Sequence, residues 1–144
     1  MRTLLIGLAL CAATHSASAQ VADSTAVGIT RDSIGAFRKV EIEADYPGGI
    51  PAWKNFLYNN LNPDAVAKAL PKKTKHFQQT ARVQFIVCTD GTVCNVRVIN
   101  DVHPAVRKEA ERAIRESGVW VPAQQGGRKV KAYRTQPITF VITE

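Results

Sequence analysis

The hydrophobic pattern of the chain changes period several times, and each change marks an element. Leu4 to Ala13 is an uncharged apolar run, preceded by Arg2 and followed by Ala17-Ser18-Ala19. A positive start, a short apolar stretch and small residues at a cleavage position read as a secretory signal, predicting a new amino terminus at Gln20. The run is about half of the roughly 20 residues that a stable spanning helix needs, so it acts as an inner-membrane anchor only if left uncleaved. Residues 20–39 mix Ser, Thr, Ala, Asp and Gly without an apolar period, the composition of a flexible leader. Val40 to Ala44 alternates as a short strand, and Tyr46-Pro47-Gly48-Gly49 turns the chain. Beyond Pro51, Trp53, Phe56, Leu57 and Leu61 share one helical stripe until Asn62-Pro63 breaks it, and Asp64 to Leu70 adds a further turn or two.

The period then falls to two. Arg82 to Cys88 and Val93 to Ile99 are β-rich runs around Asp90-Gly91, a hairpin with Val83, Phe85 and Val87 on one face and Val96 and Val98 across from them. His103-Pro104 opens a second helix and Gly118 lies just past its end. Val106, Ala110, Ala113 and Ile114 line its buried side, while Arg107, Lys108, Glu109, Glu111, Arg112, Arg115 and Glu116 are expected in water. Glu111 and Arg115 are spaced for an i,i+4 ion pair. Val119 to Val121 resumes extended chain, Pro122 and Gly126-Gly127 turn it, and Lys129 to Ile142 reads as a long strand interrupted at Pro137. The order strand, helix, hairpin, helix, strand implies an α+β domain, a small antiparallel sheet with two helices packed on one face.

Composition narrows the class. A chain of 144 residues, 45% hydrophobic and 22% charged, holds one ordinary domain and is neither disordered throughout, collagen-like nor a multi-span membrane protein. The net charge of +7 suits nucleic acid, anionic lipid or an acidic protein about equally. Export leaves no nucleic acid as partner.

Little in the chain points to catalysis. There is no Cys-x-x-Cys, no His pair on one helical face and no Gly-rich phosphate loop, so no metal, no cofactor and no catalytic residue is expected. His103 is placed to cap a helix, His76 to lie on polar surface, and Trp53 and Trp120 to pack in the core. Cys11 leaves with the signal, which keeps an even pair, Cys88 and Cys94, in an oxidising compartment. In the register that puts Val83 opposite Val98, Cys88 faces Val93, Cys94 faces Val87, and the two thiols point to opposite sides. A bulge near Gly91 brings them together, so both a disulfide and two free thiols stay open. A thiol oxidoreductase using this pair lacks a nearby base.

Several segments together resemble a known family. Asp45-Tyr46-Pro47-Gly48-Gly49 before an aromatic helix, the hairpin Val83 to Val98, Glu109-Ala110, Ser117 to Ala123, and the ending from Gly127 through Phe140 resemble, in that order, the TonB carboxy-terminal domain in its Bacteroidetes form. The resemblance covers residues 40–144. It implies a noncatalytic periplasmic module that grips an extended segment of an outer-membrane transporter, adding it as a strand to an exposed sheet edge. The implied site is the backbone of Arg128, Lys129, Val130, Lys131, Ala132, Tyr133 and Arg134, with the basic side chains attracting an acidic peptide. Unlike full-length TonB, the sequence shows neither a spanning helix nor a long proline-rich spacer. That leaves open a freestanding adaptor, a competitor for transporter segments, or a subunit linked to inner-membrane motor proteins through another chain. The rival reading is a homodimer formed by exchange of the last strand, without transporter binding.

Overall fold

Val83, Phe85 and Val87 do share one buried face, but the strand they belong to is longer than their pattern. In the computed structural model, which describes residues 30–143, β1 runs from His76 to Val87. Its first half, His76 to Ala81, turns only Phe77, Gln79 and Ala81 inward and is specified by its partner rather than by its own apolar content. That partner is β5 (Ala132–Thr143), antiparallel and in unbroken register from His76–Thr143 to Val87–Ala132. On the other side of β1 lies β2 (Val93–Val98), giving a three-stranded sheet in the order β2-β1-β5. A short hairpin of β3 (Ala123–Gln125) and β4 (Arg128–Val130) stands beside it.

Helices α1 (Gly49–Asn60), α2 (Pro63–Ala69) and α3 (Pro104–Arg115) complete an α+β domain around a small antiparallel sheet. Pro63 at the start of α2 and Pro104 at the start of α3 occupy first-turn positions, where a missing N–H costs nothing. Asn62 Oδ1 caps α2 by accepting the Ala65 N–H at 3.0 Å, and His103 Nδ1 caps α3 by accepting the Ala105 N–H at 3.2 Å. The core joins the expected α3 stripe, Val106, Ala110, Ala113 and Ile114, to Val83, Phe85 and Val87. Trp53, Trp120, Tyr46, Phe56 and Phe85 form one aromatic cluster with neighbouring ring centroids 4.9–5.7 Å apart. Trp120 satisfies its indole N–H on Ser117 Oγ at 2.8 Å, so its burial leaves no polar atom stranded.

Four sequence expectations change. Glu109, expected in water, is 7% exposed, because it joins the two helices. Its carboxylate accepts the Asn62 N–H at 2.7 Å and two Arg112 N–H groups, while Arg112 also donates to the Asn60 carbonyl. Val40 to Ala44 pairs only through an isolated bridge, Ile42 to Gln124, rather than forming a strand. The last strand is broken not at Pro137 but at Lys131, between β4 and β5. Pro137 is tolerated because alternation along β5 turns its nitrogen away from β1, where no ladder donor is needed.

The fourth change concerns the leader. Its described part, residues 30–39, packs onto the domain. Phe37 is 4% exposed and joins the main core, and its N–H and C=O bond the Lys131 C=O and Tyr133 N–H, both at 2.9 Å. Asp32 accepts the Tyr133 hydroxyl and caps its own turn through the Ile34 and Ala36 N–H groups. A single buried aromatic thus anchors a stretch whose composition alone resembles linker. The signal sequence and residues 20–29 lie outside the described residues.

Candidate functional site

An added strand needs a sheet edge whose backbone groups are unpaired. On β2, Val98 turns its peptide groups away from β1, since the next residue, Ile99, donates to Arg82 on β1. Both of those groups are taken by α3: Glu111 Oε1 accepts the Val98 N–H at 3.1 Å, and Arg107 Nη1 donates to the Val98 C=O at 3.0 Å. Arg107 reaches the Asn100 carbonyl as well, at 3.2 Å. This edge is short, bulged and capped.

The other edge is open. The Tyr133 N–H points away from β1, to Phe37, so by alternation the outward residues of β5 are Tyr133, Thr135, Pro137, Thr139, Val141 and Thr143. From Thr135 onward no described backbone group pairs with them. Pro137 is the sole blunting device, and no outward position carries a charge. Along this edge runs a shallow groove of about 400 Å³ whose apolar walls include Leu57, Leu61, Ile138 and Phe140. Tyr58, 88% exposed, and Val141, 57% exposed, stand at its rim.

The residues expected to form the edge are placed differently. Arg128, Lys129 and Val130 form β4 and pair with Gln125, Gln124 and Ala123. Ala132, Tyr133 and Arg134 pair with β1, and the outer side of Lys131 and Tyr133 is occupied by Phe37. Arg134 is ion-paired with Glu43. The hydrogen bond from Tyr133 holds the Asp32 carboxyl below its ordinary range, and the same contact raises the phenol. The seven residues therefore lie next to the open edge rather than along it. The displacement comes from Phe37, whose docking no local pattern announces.

The structure does bring the cysteines together. In β2 an extra residue at Asn95–Val96, with Asn95 at φ 52°, shifts the register so that Cys94 opposes Ile86 and Val93 opposes Val87. Cys88 and Cys94 then share a face, with Sγ atoms 3.4 Å apart. The bulge lies further from Gly91 than the sequence implies. Among the described residues no group of His, Cys, Asp and Glu is arranged to hold a metal ion.

Fold and edges together define a small α+β domain with one capped and one open sheet edge, a form suited to pairing with an extended chain. Residues 72–142 match the family described as Gram-negative bacterial TonB protein C-terminal. Residues 72–142 thus form a TonB C-terminal domain, which implies a TonB-like role in TonB-dependent transport. Domains of this family are periplasmic, belong to transport energy transducers rather than to an enzyme family, and interact with outer-membrane TonB-dependent transporters. No curated protein and no solved structure matches the chain. No helix among the described residues is long and apolar enough to cross a membrane.

Proposed function

We propose that this protein is exported after cleavage behind Ala19 and grips an extended segment of an outer-membrane transporter by strand addition. The observation that carries this reading is the asymmetry of the sheet: α3 side chains cap the β2 edge, whereas β5 from Thr135 to Thr143 keeps its outward peptide groups unpaired among the described residues. The added strand pairs with Thr139, Val141 and Thr143 and lays alternate side chains against Leu57, Tyr58 and Leu61 in the adjoining groove.

Val141→Pro tests the reading. The substitution removes an outward N–H while leaving the β1–β5 ladder intact, as Pro137 already does. Titrated with amino-terminal segments of outer-membrane transporters, the variant is expected to lose roughly three- to tenfold in affinity, the loss of one net hydrogen bond, with its melting behaviour little changed. Equal affinity of variant and parent contradicts pairing at this edge. Exchange of β5 between two copies is the rival account, and it predicts instead a dimer whose mass by light scattering does not respond to added segment.

A further inference from the structure

We propose that Cys88 and Cys94 form an intrachain disulfide across the β1–β2 hairpin. Three observations converge on it. The bulge at Asn95–Val96 places both side chains on one face as diagonal cross-strand neighbours, and without it they face apart. Their sulfurs stand 3.4 Å apart, about 1.4 Å beyond bonded length. The turn between them is already tied at both ends, Cys88 N–H to the Thr92 C=O and Gly91 N–H to the Cys88 C=O, each at 2.9 Å, so closure costs little further chain entropy. No third ligand makes the pair a metal site among the described residues.

The oxidant is a second disulfide, of a protein or a small thiol. One cysteine thiolate attacks it, forming a mixed disulfide and releasing one thiolate. The other cysteine then attacks the mixed disulfide, forming the Cys88–Cys94 bond and releasing the second thiolate. The two protons lost by the cysteines pass to the two departing sulfurs, and the external disulfide takes up the electron pair. Burial and the neighbouring Cys88 push the Cys94 thiol upward, the condition of a structural thiol rather than of a catalytic thiolate. The bond would fix the turn whose Gly91 carbonyl accepts the Trp120 N–H at 2.9 Å, joining the hairpin to the aromatic core. The proposal does not depend on transporter binding.

The test is direct because trypsin releases both residues, and not Cys11, in one peptide spanning Val83 to Arg97. The full chain is equilibrated with glutathione disulfide, its free thiols are trapped with N-ethylmaleimide in denaturant, and it is digested without reductant. The expected product is that peptide lighter by two hydrogens and carrying no maleimide. Reduction should lower the melting temperature by roughly 5–10 °C, as expected for a short closed loop in a domain of this size. The Cys88→Ser/Cys94→Ser double variant should show no response to reductant. A peptide with two maleimides, a glutathione adduct at either cysteine, or a bond to a second chain overturns the proposal.

Discussion

Single residues set this fold where the chain has no alternative, and Gly91 is the clearest of them. It sits at φ 85°, and a Cβ there would lie 2.2 Å from the Trp120 carbonyl oxygen. Gly126, at φ 57°, has open space around the same position. Gly91→Ala therefore combines left-handed strain with a backbone clash and is expected to cost at least about 2 kcal/mol, against about 1 kcal/mol for Gly126→Ala. Urea denaturation of the two variants checks the difference, and equal losses contradict the close approach. Asp90-Gly91 marks a turn in the sequence, but its contact with Trp120, twenty-nine positions on, is a property of the folded chain.

At the scale of elements, the helices show what a charge pattern hides. Glu109 lies among six other charged residues and reads as one more solvated position, yet it is the link between α2 and α3. Burial raises its carboxyl, but Arg112, through hydrogen bond and charge, together with the Asn62 N–H, outweighs this and holds it below its ordinary 4.5. A carboxyl depressed in the folded state stabilises above its unfolded value, and that contribution is lost as pH falls through the folded one. Glu109→Gln should therefore cost about 1–3 kcal/mol at neutral pH, with the gap to the parent closing below pH 4.5. Denaturation across a pH series measures this, and a gap independent of pH contradicts the link.

The strands divide along similar lines. The hairpin, the α3 stripe and the His103 cap are legible because local pattern and tertiary role agree. The half-strand His76 to Ala81 is not, since its Gln and Thr residues gain their place only through β5. Nor is the bulge at Asn95, on which the meeting of the cysteines depends.

At the scale of the molecule, the open edge is decided by what covers the rest. Alternating and basic residues around Lys129 to Arg134 announce extended chain near the carboxy terminus, but no local signal tells that it breaks at Lys131 or which stretch stays unpaired. That depends on Phe37 occupying the start of β5 and on α3 capping β2. A chain beginning at residue 40 loses the Phe37 side chain from the core and is expected to be about 3–5 kcal/mol less stable, readable as a lower denaturant midpoint. An unchanged midpoint would return residues 30–39 to the status of a leader.

The central claim is that a transporter segment pairs with the outer edge of β5. Residue-resolved amide hydrogen exchange tests it most directly, because alternation divides the strand into two sets. Ile138, Phe140 and Ile142 donate toward β1 and should be protected in the free protein. Thr139, Val141 and Thr143 face outward and should exchange fast until an amino-terminal transporter segment is added, then become protected. Protection that appears instead along β2, or no change in the outward amides of β5 under saturating segment, contradicts the account.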